Sequence, residues 1–166
     1  MEDFDFFQRT IQGVKILGTD RLFLVDFEEM SYQEPFEKKF GNYEIAGLYL
    51  LINLKTNEIY VGESTDIIKR NKGEIKNGFT DEKKKDFKFD KIILIWDGRP
   101  TITSLFGDDA FRKLLEKYCI KLFKEHERYK CLNITENPRP TNLQTQIKSE
   151  SFEKHILFLL KMHGLM

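Results

Sequence analysis

Cysteine is scarce in this chain, with only Cys119 and Cys131 among 166 residues. Two thiols cannot build a stapled disulfide framework or fill a four-ligand zinc site, and no bridge between them is expected in an intracellular protein. Histidine is nearly as rare, and His126, His155 and His163 show no metal-ligand spacing with one another. Surface or helix-end positions are expected for them. No internal repeat or low-complexity tract is present. Nor does any apolar run approach the roughly 18 residues needed to cross a bilayer. The start, Met1-Glu2-Asp3-Phe4-Asp5, is acidic where a signal peptide is basic and then apolar. A cytoplasmic chain without a membrane partner is expected. An excess of one charge is also missing: 27 basic and 27 acidic residues give a net charge of zero although 33% of the residues are charged. Bulk electrostatics therefore gives no argument for a nucleic-acid partner. The balance is nevertheless a sum of opposed parts, since residues 1–46 hold five basic and ten acidic side chains and residues 47–166 hold 22 and 17.

What is plentiful is apolar and aromatic. Hydrophobic residues make up 40% of the chain, with 15 Phe and 6 Tyr, enough for one globular core and too much for intrinsic disorder. Gly18-Thr19-Asp20 separates two β-rich runs, Thr10–Leu17 and Arg21–Phe27, although a helix over residues 3–14 fits the first of them too. Residues 28–44 read as a loop or short helix. Gly47–Asn53 is almost wholly apolar, Lys55-Thr56-Asn57 forms a turn, and Glu58–Gly62 begins an antiparallel partner. Ser64 or Thr65 can cap a following helix, which should end near Asn77-Gly78. Lys91–Trp96 is the most hydrophobic strand. Asp108 or Asp109 caps a long helix running to about Glu127. Residues 137–147 look like a loop, and Ser151 caps a last helix with Phe152, Ile156, Leu159 and Leu160 on its buried stripe. The pattern is α+β.

The candidate chemistry lies around the hairpin. Tyr49 and Tyr60 each have a glycine nearby, Gly47 and Gly62, which would leave the backbone open to close approach by a ligand. Arg70 falls on the flank of the next helix's buried stripe, where a guanidinium can reach a phosphate. On the long helix, Glu116 falls between Phe123 and Ile120, away from the lysine face of Lys113, Lys117, Lys121 and Lys124. A partly desolvated carboxylate must be paired or hold a metal. An Arg112–Glu116 pair four residues apart would satisfy it equally well. Lys69, Lys72, Lys76, Lys83, Lys84 and Lys85 lie in a stretch, residues 69–91, with nine basic and five acidic side chains. They are candidate backbone contacts to a nucleic acid or a solvated connector.

Gly47-Leu48-Tyr49, Tyr60-Val61-Gly62, Ser64, Arg70, Glu116 and Asn133 resemble, in order and spacing, the motifs of the GIY-YIG nuclease superfamily. The resemblance covers about residues 45–135 and divides the chain into an acidic extension (1–44), a nuclease-like domain (45–135), and a loop with a C-terminal helix packed on it (136–166). It implies a small antiparallel three-stranded sheet flanked by helices, with a short β-rich extension before it. It also implies a metal-dependent endonuclease that cuts DNA phosphodiesters with one Mg2+ or Mn2+ per site. Glu116 would hold the metal, Tyr49 would activate water, Tyr60 would assist, and Arg70 would stabilise phosphoryl charge. Phenol is a poor base at its reference pKa of about 10, so the metal and arginine would have to lower it. Gly47, Gly62, Ser64 and Asn133 would support the site. The substrate would be DNA, with branched or single-stranded forms included, and a protein partner or homodimer is left open. The chain departs from the family in having Glu74 where many members carry a histidine. That departure and the neutral charge motivate the alternative, a catalytically weak or inactive nucleic-acid-binding module of the same fold. Asp81-Glu82-Lys83-Lys84 also looks like the acidic–lysine motif of other restriction nucleases, but it sits in a connector instead of a strand.

Overall fold

Apart from the Tyr49 phenol, the strand Gly47–Asn53 carries no polar side chain before its last residue, a pattern that suits a strand covered on both faces. In the computed structural model, which describes residues 4–11, 14–28, 44–71, 87–133 and 142–166, that is where it lies. Strands β1 (Phe7–Ile11), β2 (Val14–Gly18), β3 (Phe23–Glu28), β4 (Gly47–Asn53), β5 (Glu58–Ser64), β6 (Lys91–Trp96) and β7 (Lys130–Cys131) form one sheet in the order β1-β2-β3-β6-β4-β5-β7. Every pairing is antiparallel except the short parallel one between β5 and β7.

The alternation of β4 sorts the core into two layers. Leu48, Leu50 and Ile52 pack with Phe111, Leu115, Cys119 and Phe123 of α1 (Asp109–Glu125) and with Ile156, Leu159 and Leu160 of α2 (Leu143–His163). Tyr49 and Leu51 point the other way, into a cluster with Val25, Phe27, Ile67, Ile68, Leu94 and Trp96. Ile67 and Ile68 belong to a helical turn over residues 67–71, so the start of that helix covers the second face.

The expected small three-stranded sheet is corrected by this architecture. Strands β6, β4 and β5 are adjacent, but the sheet around them is seven-stranded and mixed, within a fold that is still α+β. β3 pairs with β6 along six positions, from Phe23 opposite Trp96 to Glu28 opposite Lys91. A strand as apolar as β6, with both faces buried, needs a partner on each side, and Phe23, Leu24, Val25 and Phe27 supply the outer one. The expected β-rich extension is thus continuous with the central sheet. Its first run, Thr10–Leu17, is divided between β1 and β2, and no helix forms over the described part of residues 3–14. The last helix also begins earlier than expected. Asn142, whose side chain accepts from the Thr145 amide at 2.8 Å, caps it in place of Ser151. Its first two turns hold the exposed Leu143 and Ile147, which blur the buried stripe that starts at Phe152. The expected end of the middle helix at Asn77-Gly78 lies outside the described residues. Both cysteines are free thiols.

Candidate active site

The hairpin of β4 and β5 turns at residues 54–57, where the Asn53 side chain accepts from the amides of Lys55 and Thr56 and Asn57 takes a left-handed conformation. This turn fixes the register: Tyr49 stands opposite Gly62, Leu51 opposite Tyr60, and Gly47 opposite Ser64. Tyr49, Tyr60 and Gly62 therefore share one face of the sheet. The two phenol rings lie 6.3 Å apart at 49°. Tyr49 is 1% exposed, whereas Tyr60 is half-buried.

The glycines do something other than the sequence suggests. A Cβ on Gly62 would run into the end of the Tyr49 ring, and one on Gly47 would meet the Ile95 carbonyl and, at 3.1 Å, Trp96. The space they leave is filled by the protein itself: by the Tyr49 phenol in one case and by β6 in the other. Gly62 is the reason a buried tyrosine can lie flat across the neighbouring strand.

Beyond β5 the chain turns into the helical segment. Ser64 Oγ accepts from the Asp66 amide at 3.0 Å, and Asp66 Oδ1 accepts from the Lys69 amide at 3.1 Å, so Asp66 acts as the cap and Ser64 supports it. The Ile67 amide donates to the Ile45 carbonyl at 2.8 Å, tying the helix start to the strand entrance. Lys69 and Arg70 are exposed on this turn, on the sheet face that carries Tyr49 and Tyr60. Of the other lysines expected to contact nucleic acid, Lys72, Lys76, Lys83, Lys84 and Lys85 all fall outside the described residues, as does Glu74.

Asn133 has a defined task. Its Oδ1 accepts from the Val61 amide at 2.8 Å and its Nδ2 donates to the Val61 carbonyl at 2.7 Å. The Leu132 amide donates to the Ile59 carbonyl at 2.9 Å just before it. The side-chain amide thus continues the β7 ladder by one step along β5 and closes the edge between Tyr60 and Gly62.

Glu116 lies half-buried on α1, which covers the opposite face of the sheet. One turn earlier, Arg112 is 4% exposed. It donates through Nε to Glu63 of β5, through Nη1 to the Phe106 carbonyl at 2.8 Å, and through Nη2 to Asp109. Burial works against its charge, but Glu63 and Asp109 outweigh that and hold its pKa above the ordinary value. Sequence reasoning pointed Arg112 only toward Glu116 and missed Glu63, since no local pattern links a strand residue to one 49 positions later. The structure thus gathers Tyr49, Tyr60, Gly62 and the helix of Arg70 on one face, with Asn133 at the edge. It does not bring Glu116 onto that face: Glu116 stands on α1, which packs against the other one.

Among the described residues no three His, Cys, Asp or Glu side chains cluster as a metal cage. A single half-buried carboxylate nevertheless suits Mg2+, which keeps several waters and commonly takes one or two carboxylates together with phosphate oxygens. The donor chemistry of Glu116 therefore fits the implied ion.

Comparison with known families bears directly on this hairpin. The GIY-YIG catalytic domain matches residues 45–130, from the residue that anchors the helix start to the first residue of β7. Neither the curated proteins nor the solved structures include a match. The matched span covers more than half of the chain and contains both tyrosines, Arg70 and Glu116. This chain accordingly belongs to the GIY-YIG superfamily of nucleases.

Proposed function

We propose that the protein is a divalent-metal-dependent endonuclease that hydrolyses DNA phosphodiester bonds beside the β4–β5 hairpin. The observation that carries this reading is the pair of phenols on one sheet face, 6.3 Å apart, beneath a helix that presents Arg70 to solvent. Arg70 is the group to neutralise charge that develops on the phosphoryl oxygens. Glu116 would hold a single Mg2+ or Mn2+, which when bound would supply Lewis-acid stabilisation of the phosphate.

Exposure separates the two tyrosines. The resemblance gave the attacking water to Tyr49, but a side chain 1% exposed has almost no solvent beside it. Tyr60 is the phenol that solvent reaches, so we assign it the orientation of the water. Tyr49 sets the position of Tyr60 from behind. Ser64 acts at one remove by supporting the cap that opens the Arg70 helix. Asn133 holds the β5 edge from which Tyr60 projects.

Incubation of the purified chain with supercoiled plasmid, branched DNA and single-stranded DNA, with Mg2+ or with chelator, tests the proposal. Metal-dependent cleavage that falls by about 10²-fold or more in Glu116→Gln and in Arg70→Ala is expected, the order found when one preorganised group that stabilises transition-state charge is removed. Tyr60→Phe should lower kcat more than Tyr49→Phe. DNA binding without product on any substrate would instead favour a binding module, and cleavage that survives Glu116→Gln would remove the assigned metal site.

A further inference from the structure

The loop after β6 combines tight internal bonding with an apolar tip. The Asp97 carboxylate accepts from the Arg99 amide at 3.1 Å, the Ser104 hydroxyl at 2.9 Å and the Leu105 amide at 3.3 Å. The Thr103 and Ser104 amides both donate to the Pro100 carbonyl at 3.0 Å. The single proton of the Thr101 hydroxyl is shared between the carbonyls of Glu44, 2.8 Å from Oγ1, and Thr65, 3.1 Å from it. At the centre of these bonds Ile102 is 97% exposed.

A single exposed aliphatic residue ordinarily needs no explanation. This one is set apart by where it is held and by what surrounds it. Thr65 lies between Ser64 and the helix of Arg70, so the loop is fastened to the end of the sheet at which the candidate site opens. β6 reaches the same end, with Ile95 opposite Leu48 and Trp96 beside Gly47. Arg99 and Thr103 are exposed and polar, while Pro100 and Leu105 of the same loop are exposed apolar neighbours, Leu105 far less so than Ile102. A tip made of one stiff, β-branched side chain with only Pro100 and the edge of Leu105 beside it is too small for a protein interface, which needs a broad contiguous apolar centre. It is the size of an apolar wedge that enters a DNA base step.

We propose that Ile102 inserts into a base step of duplex DNA beside the cleaved phosphate, with Arg99 on an adjacent phosphate, so that the enzyme selects steps that unstack easily. This inference rests on the nuclease reading and adds a specificity residue to it. Pyrimidine–purine steps and bulged or branched junctions, where unstacking costs least, would be the favoured substrates.

The test uses the full chain in chelator with duplexes carrying 2-aminopurine at TA steps, followed by cleavage assays with metal. Wild-type protein should raise 2-aminopurine fluorescence on binding, and Ile102→Ala should abolish that rise. Ile102→Leu should keep it. Cleavage of intact duplex should fall at least about fivefold in Ile102→Ala, and by a clearly smaller factor on a duplex with a bulge at the same step, where the tip is not needed to open the stack. A thermal unfolding midpoint unchanged by the substitution checks that the loop still folds. Equal fluorescence and equal cleavage for wild type and Ile102→Ala, or binding by wild type with no fluorescence rise, overturns the wedge alone. Absence of metal-dependent cleavage by every form overturns the nuclease reading, and absence of DNA binding overturns both.

Discussion

At the scale of single residues, the chemistry of this protein depends on fits the sequence shows only in outline. Gly62 is paired with Tyr49 across two strands, and its missing Cβ is the space the phenol occupies. Gly62→Ala should therefore cost about 1–3 kcal/mol, the range for an overpacked interior, because a ring 1% exposed has nowhere to swing. The double variant Tyr49→Leu/Gly62→Ala should lose less than the two single losses combined; additive losses in urea unfolding would contradict the contact. Both glycines were legible as special from the tripeptides they belong to, but their purpose was not, because a sequence shows a missing side chain and not what fills the gap. Cys119 is a second case. Burial pushes its thiol well up, and the nearby Glu116 and Glu153 carboxylates and Cys131 add to the effect, so the thiol stays protonated and unreactive at neutral pH. A thiol reagent at pH 8 should label Cys131, which is half-buried, and reach Cys119 only when the chain unfolds; equal native labelling rates would refute that.

At the scale of elements, the hairpin, β6 and α1 could be read from the sequence because each carries its own periodicity and turn residues. The width of the sheet could not. β3 joins β6 across 63 or more positions of chain, and nothing local in either strand states that they pair. The mode of attachment of α2 was equally hidden. Its last turn is clasped to the sheet by His163 Nε2, 2.6 Å from Asp26 Oδ2 on β3, and Lys91 of β6 donates to the same oxygen at 3.1 Å. Burial alone would raise the pKa of Asp26, but the His163 hydrogen bond, with the charges of Lys91 and His163, outweighs it and leaves the value below the ordinary one. A carboxylate with a lowered folded-state pKa stabilises the fold above its unfolded pKa of about 3.9 and loses that stabilisation as pH falls through the folded value. Urea midpoints should therefore fall with pH below about 5, and Asp26→Asn should flatten part of that acid limb while lowering stability at pH 7 by about 1–3 kcal/mol. An acid limb identical in Asp26→Asn and wild type would show that the clasp does not couple to pH.

At the scale of the whole molecule, the neutral net charge limits how the proposed site could attract DNA. A strongly basic nuclease can hold many phosphates at once and loses affinity steeply as salt rises, because each neutralised phosphate releases counterions. Here 27 positive charges are matched by 27 negative ones, and the acidic excess is concentrated in residues 1–46, part of which forms the outer strands of the sheet. The surface field outside the site is therefore weak or mixed, and attraction has to come from a few local groups such as Arg70, Lys69 and Arg99. With about three or four phosphates neutralised, the slope of log affinity against log salt should be no steeper than about −4. Affinity should instead vary with DNA shape, rising for substrates that are bulged, branched or rich in TA steps, since those give up stacking most readily to a rigid apolar tip. Fluorescence anisotropy on matched straight and bulged duplexes across a salt series measures both quantities together. A steep slope with no preference among shapes would mean that bulk charge holds the DNA after all, and would move the search for specificity away from the loop of Ile102 and toward the lysines of residues 69–91.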